Sequence, residues 1–103
     1  MKLLVFLAKG FETIEFSAFI DVMGWAKTDF DCKIDVVTCG LNRKVISSFN
    51  VPVLVDKVID EVSADDYDAL AIPGGFEEFG FYEEAYNEQL LELIRLFDSQ
   101  KKW

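Results

Sequence analysis

Glu15, Gly74 and Gly75 are the residues of this chain whose types and placement could do chemistry together. Glu15 falls inside an apolar arc of a helical segment, where a core side chain is expected. A carboxyl among apolar neighbours favours its neutral form, which suits a proton donor or the partner of a thiolate. The two glycines follow Pro73, directly after the apolar run Ala69–Ile72. Without a Cβ, the backbone N–H groups there can approach a substrate oxygen closely, as an oxyanion hole requires. Each feature also has a plainer reading. A glutamate in a first helical turn complements the helix dipole, and a Pro-Gly-Gly turn after a strand is often only a turn. The reactive centre is missing: the 103 residues include no histidine, and neither Cys32 nor Cys39 stands beside these positions.

For a carboxylate at position 15 to meet a turn at position 74, the chain must return to one edge of one sheet. Leu3–Ala8 is a continuous apolar run, the mark of a strand covered on both faces. Lys9-Gly10 breaks it, and a helical pattern runs from about Glu12 to Lys27. Lys33–Thr38 reads as a second strand, and Val45–Ile46 with Val51–Val55 as a small hairpin. Ser63 is placed to cap a short helical turn. Ala69–Ile72 is a third buried strand, and Asn87 caps a last helix ending near Ser99. Apolar strands alternating with amphipathic helices predict an α/β fold with a mostly parallel sheet. Ligands on such sheets bind beyond the carboxyl ends of the strands. Glu15 and the Gly74-Gly75 turn share that edge if their strands are neighbours.

The first helix carries two apolar arcs. Ile14, Ala18, Val22 and Trp25 fall with Phe11 and Ala26 in one, which contains Glu15; Phe16, Phe19, Ile20 and Met23 form the next. One arc is expected to cover the sheet. The extra arc of Phe16, Phe19, Ile20 and Met23 is expected to bury against a second subunit, giving a homodimer. The cluster Phe76, Phe79, Phe81 and Tyr82 reads as local core or interface, and Glu77-Glu78 and Glu83-Glu84 as solvated faces.

Composition narrows the function. A hydrophobic content of 51% argues against disorder, and the length suits one domain. Ten basic against nineteen acidic residues leave a net charge of −9, which argues against nucleic acid and anionic membrane as partners. The apolar run after Lys2 is too short for a signal peptide and no stretch approaches a membrane span, so a cytoplasmic protein is expected. Cys32 and Cys39 flank the second strand, roughly 23 Å apart if it is extended, and are expected to be reduced and structural. No spacing suggests a metal site, and no cofactor is implied.

The run L-V-F-L-A-K-G-F-E-T-I-E at Leu4–Glu15, I-D-V-M at Ile20–Met23 and D-D-Y-D-A-L-A-I-P-G-G at Asp65–Gly75 resemble the ThiJ/PfpI superfamily over essentially the whole chain. That superfamily belongs with the class I glutamine-amidotransferase-like folds. The resemblance implies a flavodoxin-like three-layer sandwich, incomplete here, with residues 1–103 as the N-terminal part of a single domain. It implies that Glu15 hydrogen-bonds and tunes a reactive cysteine, and that the Gly74 and Gly75 amides face it as oxyanion donors. That cysteine sits on an elbow of the strand after the helix ending near Ser99, so a complementary C-terminal segment or chain is expected to supply it. The implied chemistry is thiolate attack on a small-molecule carbonyl or amide, of glyoxalase, deglycase, amidase or protease type. The competing expectation is a non-catalytic chaperone-like or stress-response module of the same fold. A flavodoxin would need a hydroxyl-rich loop where Lys9-Gly10-Phe11-Glu12 stands. A phosphate-accepting receiver would need an aspartate, not Pro-Gly-Gly, at the end of the third strand.

Overall fold

Four parallel strands form the centre of a computed structural model that describes residues 1–103. They are β1 (Lys2–Phe6), β2 (Asp35–Gly40), β5 (Lys57–Val58) and β6 (Ala69–Ala71), in the order β5-β2-β1-β6. β3 (Lys44–Ile46) and β4 (Pro52–Leu54) pair as the expected antiparallel hairpin. Helix α1 (Thr13–Asp29) crosses between β1 and β2, while α2 (Phe81–Ala85) and α3 (Glu88–Ser99) follow β6. No helix is long and apolar enough to cross a membrane.

The period of two along β1 divides the core into two layers. Leu4 and Phe6 face α3, where they join Ala8, Cys39, Ile59, Tyr67, Leu90, Leu93 and Phe97. Val5 and Leu7 face the other way, with Phe11, Val45 and Val55. Phe16 and Phe19 of α1 pack on this second layer beside Val36 and Ala71. Helices thus cover both faces of the sheet, and the central strand is apolar throughout for that reason.

Caps hold the elements at their ends. Asn87 Oδ1 accepts from the Gln89 and Leu90 N–H groups (2.8 and 3.3 Å), which fixes the start of α3. Ser63 Oγ accepts from Asp65 N–H ahead of the short turn Ala64–Asp66. The strand after α1 begins two residues later than the sequence pattern suggests and takes in Cys39, so that Cys39 lies within β2 and not beyond it.

Two expectations change. The arc of Phe16, Phe19, Ile20 and Met23 is not left for a second subunit: it is the half-buried face of α1, turned to the chain's own sheet. The other arc faces outward, with Ile14 71%, Val22 58% and Trp25 56% exposed. The second arc holds three large residues within five positions, so it gives the wider contact with a twisted sheet. β6 is also only half-buried, because it is an edge strand. On its outer side the Leu70 N–H donates to the Trp103 carbonyl (2.8 Å).

The reversal of α1 has a direct test. Phe19→Ala is expected to cost about 2 kcal/mol of unfolding free energy, and Val22→Ala less than about 0.5 kcal/mol, by urea denaturation. The opposite ranking contradicts the packing described here.

Candidate functional site

β1 and β6 are adjacent and in register, Leu3 opposite Ala69 and Val5 opposite Ala71, so their carboxyl ends emerge side by side. Beyond β1 the chain stays buried through Leu7 and Ala8, then turns at Gly10 with φ 76°. A Cβ at Gly10 would stand 2.7 Å from the Phe79 carbonyl oxygen. Phe11 next pairs with Gly75 in an isolated antiparallel bridge, and the Glu12 N–H donates to the Gly74 carbonyl (2.6 Å). Glu12 is the N-cap of α1, but its side chain caps nothing. Because the Gly74 carbonyl takes the N-cap N–H, the glutamate three residues on is free to reach elsewhere. That glutamate is Glu15, and its Oε1 accepts a long hydrogen bond from the Gly74 N–H (3.4 Å).

The structure therefore brings Glu15 and the Gly74-Gly75 turn together. It does not bury Glu15. The carboxyl was expected among core side chains, yet the residue is exposed. The cause is the rotation of α1: with Phe16 and Phe19 against the sheet, Glu15 is turned about 100° per residue away from the core and lies along the sheet edge.

The two glycines differ. A Cβ on Gly75 would collide with the Phe81 ring and stand 2.6 Å from the Gly10 carbonyl oxygen, so this position admits no side chain. A Cβ on Gly74 would meet only the Glu15 carboxylate, at 3.3 Å. The Gly74 N–H is directed to Glu15, whereas the Gly75 N–H has no acceptor within the chain.

The β3–β4 hairpin closes over this edge, which the sequence reading did not anticipate. The Ser48 N–H donates to the Phe11 carbonyl, and the Gly10 N–H to the Ile46 carbonyl. Thr13 Oγ1 donates to Ser47 Oγ (2.8 Å), tying the hairpin to the first turn of α1. Ser48 is buried and its hydroxyl has no partner within the chain. These contacts join segments more than thirty residues apart and leave no mark on local periodicity.

Neither cysteine reaches the site. Cys32 is exposed beyond the end of α1, ahead of the amino end of β2 and so at the opposite edge of the sheet. Cys39 is buried in the α3-side layer. Burial, with the nearby Glu61 charge adding to it, pushes the Cys39 thiol up to about 12, so it stays protonated and unreactive at neutral pH.

The sequence profile of the DJ-1/PfpI family matches residues 1–103. The chain belongs to the DJ-1/PfpI family. It is 31% identical over 94 residues to protein DJ-1 homolog B of Arabidopsis thaliana, covering 91% of this chain and 20% of that protein. It is 26% identical over 102 residues to an uncharacterized protein of Mycoplasma pneumoniae, covering 99% of this chain and 88% of that one. DJ-1beta of Drosophila melanogaster superposes with a TM-score of 0.79 at 31% identity, over 96% of this chain and 50% of that structure. The chain thus spans a fifth of the Arabidopsis relative and half of the Drosophila structure.

The asymmetry of the Gly74-Gly75 turn gives a paired prediction. Gly75→Ala is expected to lose about 1–3 kcal/mol of stability through overpacking. Gly74→Ala keeps the fold and displaces only the Glu15 carboxylate. Thermal unfolding of the two variants checks this, and equal melting temperatures would contradict it.

Proposed function

We propose that this chain supplies the glutamate and the backbone donor of a cysteine-dependent site acting on a small-molecule carbonyl or amide. The observation that carries the reading is the Glu15 carboxylate on the Gly74 N–H, beside a Gly75 N–H with no acceptor. Glu15 there can take the proton of a neighbouring thiol as a carboxylate or, once protonated, donate a hydrogen bond that stabilises the thiolate. The Gly75 N–H, with Gly74 shared between Glu15 and the substrate, can receive the oxygen that gains charge when a thiolate adds to a carbonyl. The thiolate itself is assigned to a C-terminal part of the domain, as the family resemblance implies. In support, the matched stretch is half of the Drosophila structure, and Leu70 of β6 already pairs outward with Trp103.

The setting we propose is cytoplasmic, with both cysteines free. We also propose a homodimer, now through the outward arc of α1. Ile14, Val22 and Trp25 form one exposed stripe at helical spacing, which a second copy can cover. Val22→Asp should then sediment as a monomer at micromolar concentration while retaining its helical circular dichroism.

The test is turnover of a 2-oxoaldehyde by the domain carrying both its N-terminal and C-terminal parts. Glu15→Gln is expected to lower kcat/KM about 10²-fold or more with the melting temperature unchanged. Undiminished turnover in that variant overturns the role of Glu15. A complete, folded domain that turns over neither aldehyde nor amide, yet suppresses aggregation of a denatured client protein, would establish the chaperone-like alternative instead.

A further inference from the structure

Three aromatic rings stand in a row beside the Gly74-Gly75 turn. Phe76 directly follows Gly75, and its ring packs edge-on against Phe79 with centroids 6.1 Å apart. Phe79 packs in turn against Phe49, at the tip of the β3–β4 hairpin, with centroids 5.4 Å apart. Phe79 is also the residue whose backbone wedges against Gly10. The row is thus fixed to the same Gly10–Phe11 segment that pairs with Gly75 and leads into Glu15. Phe76 and Phe79 belong to the cluster expected as local core or interface, and Phe76 is 44% exposed, with Phe49 beyond them 71% exposed. Rings left wet at two elements that converge on a polar corner offer apolar surface beside a few backbone donors.

The charges around the row narrow what it can accept. Glu77 and Glu78 follow Phe76 and are exposed, and Glu15 lies across the turn. Lys9, whose side chain runs against Gly80, is engaged with Glu83 (3.3 Å). An anionic substrate would meet these carboxylates under a net charge of −9.

We infer that Phe49, Phe76 and Phe79 form the specificity wall of the site, receiving an aromatic-sized apolar group on a neutral carbonyl or amide substrate. This rests on the carbonyl-site reading and names its substrate class: neutral rather than anionic, and bulky rather than methyl-sized. The rings act by shape and desolvation. The carbonyl of such a substrate then lies toward Gly75.

The test uses unreactive probes and amide chemical shifts of this chain. Benzamide is titrated against acetamide, which lacks the ring, and benzoate, which adds the charge. Benzamide is expected to shift the Gly74, Gly75, Phe49 and Phe76 amides and to bind about tenfold more tightly than either control. A Phe49→Ala/Phe76→Ala double variant is expected to lose most of that preference, and Phe49→Leu/Phe76→Leu to retain part of it. Phe49 is largely and Phe76 nearly half exposed, so the fold should persist, as the unperturbed resonances of Leu4 and Phe97 would show. Equal binding of acetamide or benzoate, or a preference that survives the double alanine variant, overturns the wall. Shifts at Phe49 and Phe76 with Gly74 and Gly75 unmoved overturn the carbonyl-site reading while leaving an aromatic binding surface. No shift at either place overturns both.

Discussion

The short pairing of Phe11 and Glu12 with Gly74 and Gly75 is the constraint on which the rest of this structure depends. Two crossovers, one leaving β1 and one leaving β6, are joined there by a single bridge and the 2.6 Å bond from Glu12 to Gly74. That bond also satisfies the N-cap donor of α1, so the start of the helix and the end of β6 are fixed by one contact. The absence of a Cβ at Gly75 is what lets the Phe81 ring and the Gly10 carbonyl close upon it. A carboxylate in the first turn of a helix built this way has little choice but to lie over the glycine turn. Stability and chemistry share the same few atoms.

The energetics behind that edge come from β1. Leu4 and Phe6 on one face, and Val5 and Leu7 on the other, are fully buried and draw the two helical layers onto one strand. Burying such a side chain contributes roughly 1.5–3 kcal/mol, so these four residues weigh as much as any element in the fold. β6 lies beside this anchor and inherits its position from the register with Leu3–Val5. The site is therefore placed by the most rigid strand, while the residues that would touch a ligand stand on loops beyond it, where variation is tolerated.

Much of this was legible in sequence because it is local. The Asn87 cap, the Ser63 turn, the hairpin around Ser47–Asn50 and the two-sided apolar run of β1 each announce themselves within a few residues. The glutamate and glycine turn were legible as a pair because parallel strands put their carboxyl ends at one edge, whatever lies between. Two readings failed for one reason. Helix α1 has two adjacent apolar arcs of similar weight, and periodicity alone does not say which meets the sheet. Choosing the arc that contains Glu15 buried the carboxylate on paper and turned Phe16 and Phe19 outward. The structure reverses both together. The hairpin contacts of Ser47, Ser48 and Phe49 were invisible because they join distant segments by tertiary contacts.

The claim that Glu15 and the glycine turn form one site is tested most directly by the amide proton of Gly74. Its chemical shift can be followed by two-dimensional NMR as the chain is acidified, in the parent protein and in Glu15→Gln. If the carboxylate accepts from that N–H, the Gly74 resonance moves in a single step as Glu15 is protonated, and the step vanishes in Glu15→Gln while the core resonances stay in place. A Gly74 amide indifferent to both acid and the substitution would show that the contact is not made, and the site would lose its foundation.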